Sequence, residues 1–177
     1  MSLKPARYKA HVPLQRRMSW RHKRFMDYSS KAPPQDIRIG DKGFYFHAVV
    51  VGADLVIRGV LATWFGTPLD KQDNGETASG VNTVKTPDVV GCALPMHGFG
   101  LAATEGSPLP RIPWFTKVRV GTPAGTWLDV PLIDLGPARY TNHGIDLTPV
   151  AFKKLGGDLN KGILSVDYRI MGGAAYI

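Results

Sequence analysis

Glycine and proline set the tightest limit on this chain: twenty Gly and fourteen Pro are spread through 177 residues. Proline lacks an amide donor and glycine costs about 1 kcal/mol against alanine inside a helix, so neither sits well in a long helix. The apolar runs between them are short. A mainly β chain with many tight turns is expected, with only one or two short helices. A chain of this length buries a real core without staples and makes one domain with extensions. The single cysteine, Cys92, excludes an internal disulfide framework. Flanked by Gly91 and Ala93 in an apolar run, it reads as a small core residue. No apolar run reaches the roughly 18 residues of a membrane-spanning helix.

Charge is concentrated at one end. Residues 1–31 hold nine Lys/Arg against one acid, Asp27, and the rest of the chain holds 13 basic and 13 acidic residues. The formal net charge of +8 therefore belongs to the N-terminal segment. Residues 1–35 read as an extended basic arm, with a short helix expected around Ser19–Tyr28. Arg16, Arg17, Arg21, Lys23 and Arg24 are its candidate contact residues, interleaved with Trp20, Phe25 and Tyr28. Three uses fit this composition: a solvated tail, an arm that holds a neighbouring subunit of an assembly, and contact with nucleic acid or another anionic partner. The N-terminus has no apolar stretch of the kind that marks a secretory signal, so export by that route is not expected.

After Ala32–Gln35 the pattern changes. Ile37/Ile39, Phe44/Phe46 and Val49/Val51 alternate, and "GDKG" and "GAD" supply turns between them. Residues 36–57 are thus a β-hairpin extension, and 58–177 the main domain. Within that domain "GVLATWFG", "WFTKVRV", "TWLDVPLID" and "GILSVDYRIM" are strand candidates. "TPAG" at 122–125 is a hairpin turn. Residues 67–90 read as loop, followed by "GCALP" and a Gly-rich stretch. One helix is clearly signalled: Thr148 as N-cap, Pro149 at its first position and Gly156–Gly157 at its end, with Val150, Phe152 and Leu155 apolar.

Two Ile-Asp-Leu triplets, Ile133–Leu135 and Ile145–Leu147, set a carboxylate between large aliphatics. Asp before Gly-Pro is a common turn former, and Asp146 lies where it would also stabilise the helix start. The alternative is that both line a groove and do chemistry. Other chemistries find no pattern. The five His and one Cys lack metal-ligand spacing, "GGDLNKG" lacks the spacing of a phosphate loop, and no G-x-S-x-G turn occurs. No cofactor or metal is expected.

Four segments in order carry a resemblance: Gly59–Gly66 "GVLATWFG", "DNGETASG" at 73–80, the hairpin Val118–Pro137 ending in "DLGP", and Ile145–Gly156 "IDLTPVAFKKLG", closed by Ile163–Ile170. Together they resemble the rare-lipoprotein-A-like and expansin-like families over residues 58–171. The resemblance implies a six-stranded double-psi β-barrel with a polysaccharide groove across one face. It implies Asp134 and Asp146 as the acidic residues of that groove, with Thr63 beside them. Trp64, His143 and Tyr140 are the further candidates for substrate contact.

Lytic transglycosylases among these relatives cut peptidoglycan, while expansins loosen wall polysaccharide. A lytic transglycosylase needs one carboxylate, because the sugar's own hydroxyl attacks; an ordinary glycosidase needs two. That carboxyl acts as acid and then base, and needs a raised pKa, which apolar walls or a second carboxylate supply. Asp134, between Ile133 and Leu135, is the candidate. Strand alternation alone would send both flanking aliphatics to the opposite face. The chain departs from the lytic pattern twice: "GCALP" lacks the His of the relatives' "T-A-A-H", with His97 two residues beyond, and "DLGP" replaces "DRGP".

The expectation is a peptidoglycan- or polysaccharide-binding barrel carried on a phage or injection-type particle, with lytic cleavage by Asp134 if it is active. The alternative is a non-catalytic structural part of a virion or tail that uses the barrel as scaffold and the arm to hold neighbours.

Overall fold

In a computed structural model the described residues are 34–66 and 74–177. Residues 1–33 of the arm, with its expected helix and its basic residues Arg16, Arg17, Arg21, Lys23 and Arg24, lie outside them, as does the stretch 67–73, while Gln35, expected as the arm's last residue, opens the first strand.

The described chain is mainly β, with one short helix. Eight strands run in the order β1 (Gln35–Gly40), β2 (Tyr45–Val51), β3 (Asp54–Trp64), β4 (Cys92–Leu94), β5 (Lys117–Gly121), β6 (Trp127–Leu135), β7 (Ile145–Leu147) and β8 (Leu164–Ile170), with α1 (Pro149–Lys154) between β7 and β8. Across the sheet the order is β1-β2-β3-β7-β4-β6-β5-β8, and β8 also pairs with β3. That last pairing closes β3, β7, β4, β6, β5 and β8 into a six-stranded barrel. The hairpin β1–β2 extends from β3 outside the closure.

The pairings obey an internal two-fold relation. Exchanging β3 with β6, β4 with β7 and β5 with β8 turns the parallel pair β3–β7 into the parallel pair β6–β4. It likewise turns the antiparallel pair β3–β8 into β6–β5, and maps β4–β7 and β5–β8 onto themselves. This connectivity is compatible with a double-psi barrel.

Alternation explains the interior. Leu55, Ile57, Ala62, Cys92, Leu94, Val118, Val120, Val130, Leu132, Ile145, Leu147, Val166, Tyr168 and Ile170 all join one buried cluster. On a strand, every second residue shares a face, and these residues keep that spacing except at two bulges. In β3 the pairing with β8 slips between Ile57 and Val60, where Gly59 takes a φ of 64° and its N–H bonds Asp167 Oδ1 at 2.7 Å. The strand bends there; its first half pairs with both β2 and β8, so it joins the hairpin to the barrel, and its second half pairs with β7 and β8. Residues 57 and 58 both lie within β3, and Leu55 and Ile57 share one core cluster with Ala62.

The α1 helix follows its caps. Pro149, Ala151 and Phe152 are buried, and Gly156 ends it at a φ of 87°. Thr148 has the extended backbone of an N-cap, but its hydroxyl does not cap. Fully buried, it accepts the N–H of Gly91 at 3.1 Å, and its own N–H bonds the Gly91 carbonyl at 3.0 Å. That exchange pins the entry to β4 against the start of the helix. The hairpin turn at 122–125 forms as expected, closed by Thr122 and Thr126. "WFTKVRV" becomes strand only from Lys117, because Phe115 takes a φ of 64°.

Candidate functional site: a row of four residues across the barrel

The strand register assembles the site. Thr63 of β3 pairs with Asp146 of β7, Asp146 with Ala93 of β4, and Ala93 with Asp134 of β6. Directly paired residues share a face, so Thr63, Asp146, Ala93 and Asp134 form one row across four adjacent strands. At roughly 4.8 Å per strand the row spans about 14 Å, and the two aspartates are about 10 Å apart at Cα. Ile145 and Leu147, the neighbours of Asp146, are in the barrel core, so the row lies on the outer face. Asp146 Oδ1 accepts the hydroxyl of Thr63. The two-fold relation of the barrel maps this row onto itself, exchanging Thr63 with Asp134 and Asp146 with Ala93.

The two identical triplets reach this face by different means. In β7 simple alternation suffices: Ile in, Asp out, Leu in. In β6 both Leu132 and Leu135 pack on the core side, three residues apart. A bulge absorbs the mismatch, because Cys92 pairs with Leu132 while the next residue, Ala93, pairs with Asp134. Ile133 is the extra residue. It stays outside, in a small outer cluster with Phe65 and Ala93, flanked by Val81 and Val89. Bulges re-aim side chains in this way and are common beside functional sites. Of the two aliphatics flanking Asp134, Ile133 therefore lines its own face, which strict alternation would have forbidden. Gly91 makes this room, since a Cβ there would sit 2.5 Å from Ile133 Cδ1.

Asp134 is half-buried and anchored. Its Oδ1 accepts the N–H of Ala78 at 2.9 Å and that of Leu135 at 2.8 Å. Ala78 lies in "GETASG", and Ser79 N–H adds a bond to the Ile133 carbonyl at 3.2 Å. The loop over 74–83 is itself closed by Thr77 N–H to the Val81 carbonyl and Thr83 N–H to the Gly75 carbonyl. It therefore packs against the Asp134 end of the row as a fixed rim. At the same end β6 passes into Gly136, with a φ of 137° and a cis bond to Pro137. Gly136 lies close enough that a Cβ on it would be 3.4 Å from Asp146 Oδ2.

The remaining candidates are placed elsewhere. Trp64 follows Thr63 on the opposite face. It packs against the core cluster, and its indole N–H donates to the Leu159 carbonyl at 3.1 Å. Tyr140 is 86 % exposed on the turn Arg139–Thr141 and lines a separate cleft with Gly43, Ala102 and Glu105. His143 lies three residues before Asp146, and its neighbour Gly144 bonds the Leu61 carbonyl and abuts Val60. Burial lowers the pKa of His143, which favours its neutral form. His97 is exposed, with Nδ1 2.9 Å from the Ser107 carbonyl. Among the described residues no group of three His, Cys, Asp or Glu could hold a metal ion.

Two participants were missed in the sequence: Ala93, the small floor between the carboxylates, and the N–H of Ala78. For Ala93 the signal was too short, since a three-residue strand shows no period. No family model matches the chain, and none of the curated proteins compared with it does.

Proposed function

We propose that the outer face carrying Thr63, Asp146, Ala93 and Asp134 binds a wall polysaccharide, and that peptidoglycan is its glycan. The in-register row carries this reading. It offers two carboxylates and a hydroxyl along a line about 14 Å long, with a methyl group at its middle. Such a line suits an extended, hydroxyl-rich chain. The barrel, the rim loop on Asp134 and the resemblance of "GVLATWFG", "GETASG", "DLGP" and "IDLT" to the rare-lipoprotein-A-like pattern support it. The relatives' His and Arg are absent, so binding is the primary claim and lytic cleavage, with Asp134 as acid and then base, the secondary one. The basic arm, whose charge suits contact with a neighbouring subunit or packaged nucleic acid, favours delivery on a phage or injection-type particle.

The test is co-sedimentation of the full chain with purified peptidoglycan in about 0.5 M salt, where the arm's charges are screened. Mass spectrometry of the soluble fraction reads cleavage. Retention of the wild type and its loss in Asp134→Asn and Thr63→Val are expected, and anhydro-muropeptides would add the lytic activity. A folded wild-type protein that stays in solution refutes the reading. A purely structural role in a virion or tail is the second reading, supported by an edge strand, β1, whose outer side has no partner among the described residues. It requires that Asp134→Asn leave particle assembly unchanged while loss of the arm's contacts abolishes it.

A further inference from the structure

An open trough of about 820 Å³ runs beside β1. It touches Gln35, Ile37, Arg38, Ile39 and Gly40, which is nearly the whole length of the strand. Val50 of β2, the partner of Gln35, also lines it, so the trough runs along β1 and reaches under one face of the hairpin. Ser107, Pro108, Pro110, Tyr176 and Ile177 are also in its wall. The lining is mostly apolar. Among the described residues β1 pairs only with β2, so its other edge has no partner strand there, and the trough lies against β1. An open edge beside an apolar trough is the geometry by which an extended segment adds to a sheet.

We propose that the occupant is the chain's own segment Tyr8–Leu14, which adds to β1 as a further strand. Three observations point to this segment. Among residues 1–34, only here do four apolar side chains alternate: Tyr8, Ala10, Val12 and Leu14, with Lys9, His11 and Pro13 between them. Alternation lets one face meet the trough's apolar wall while the other meets water. The intervening residues suit a new edge, since Lys and Pro on an edge strand block further addition. Finally, the connection is long enough. Twenty residues, 15–34, join the segment to β1; even as a coil these span roughly 25 Å, against about 20 Å for six extended residues. Tethering at that length gives a local concentration in the millimolar range, so the segment fills its own trough before that of another copy. This inference concerns the edge of the hairpin and does not rest on the glycan reading.

The experiment uses the full chain with a nitroxide on His11→Cys. Cys92 is fully buried, and burial raises its thiol pKa far up, so it does not compete for the label. In dilute ¹⁵N-labelled protein, the amide signals of Gln35–Gly40 and Ser107 are expected to broaden, and to stay broadened when excess unlabelled, nitroxide-free protein is added. Broadening seen only when nitroxide-bearing unlabelled protein is mixed with nitroxide-free ¹⁵N protein would assign the trough to a neighbouring copy and overturn the proposal. No broadening at these amides would overturn it as well. A second measurement is hydrogen exchange in Tyr8→Asp/Val12→Asp. The β1 amides that do not donate to β2 should exchange at least tenfold faster than in the wild type, with β4 and β7 amides unchanged. Equal rates at β1 would refute the added strand.

Discussion

Replacing Asp134 by alanine and by asparagine separates what its carboxylate holds from what it does. One oxygen, Oδ1, accepts two backbone N–H bonds, from Ala78 and Leu135. Hydrogen bonds to a charged acceptor contribute about 1.5–3 kcal/mol each when buried and about 0.5–1.5 when the acceptor is neutral. Asp134 is half-buried, so water replaces part of each bond and about 1 kcal/mol apiece is the working figure. Asp134→Ala then costs about 2 kcal/mol and frees the rim loop. Asp134→Asn keeps an oxygen in place to accept both bonds and costs about 1 kcal/mol. In a domain of this size 1 kcal/mol moves Tm by about 2–4 °C. The alanine variant should therefore melt about 4–8 °C below wild type and the asparagine variant about 2–4 °C below.

The assay pairs thermal melting with hydrogen exchange at Ala78, whose amide should exchange faster in the alanine variant and near wild-type rate in the asparagine one. Peptidoglycan retention should be lost in both, because neither carries the charge. Two variants with equal Tm, or with Tm unchanged, would refute the claim that Asp134 anchors the loop. Retention that follows Tm rather than charge would refute the claim that the carboxylate meets the ligand.

The remaining predictions concern the frame of the site. Gly144→Ala should destabilise by about 1–3 kcal/mol in urea denaturation, through overpacking at the entry to β7, since its Cβ would meet Val60 Cβ at 2.4 Å. Thr148→Val should cost about 1–3 kcal/mol by leaving the Gly91 N–H buried without its acceptor, while Thr148→Ser should cost less. Tyr168→Phe should leave stability unchanged or raise it by about 1 kcal/mol, as this fully buried hydroxyl has no hydrogen-bond partner among the described residues; a clear loss would reveal a partner. Asp129 is held below its ordinary value of 3.8, chiefly by its side-chain bond to Arg119. A lowered carboxylate contributes stability above its unfolded pKa and loses it as pH falls through the folded one. Asp129→Asn should therefore be less stable than wild type at pH 7, and the gap should shrink as the pH falls below about 4.

Much of this frame is legible in the sequence, for physical reasons that also mark where legibility ends. β1, β2, β3, β5, β6 and β8 run five residues or more, enough for a period of two to show, and Gly-containing turns bound several of them. β4 and β7 have three residues each, and three residues carry no period. "GCALP" and the second "IDL" are therefore not among the strand candidates, although both are central strands of the barrel. Thr148 was legible as a cap position, but not as the partner of a glycine 57 residues away. Trp64 shows the same limit from the other side: an aromatic beside Thr63 invites a platform reading, yet one residue along a strand is the opposite face.

The repeated Ile-Asp-Leu triplet shows why local sequence cannot settle a site of this kind. The barrel's two-fold relation equates β6 with β3 and β7 with β4, so the two triplets are not structural equivalents. Their likeness is local, and the fold treats them differently. Asp146 is outward by plain alternation and receives the Thr63 hydroxyl. Asp134 is outward only because the pairing with β4 slips by one residue, which also keeps Ile133 outside beside it. The slip is specified from two places far apart in the chain: Gly91, which leaves room for the Ile133 side chain, and the 74–83 loop, whose N–H groups meet Asp134 Oδ1 and the Ile133 carbonyl. Filling the space at Gly91 should then disturb Asp134 without touching it. Gly91→Ala would press on Ile133 and shift the Ala78–Asp134 bond, while Asp146 and Thr63, two and three strands from Asp134, keep theirs.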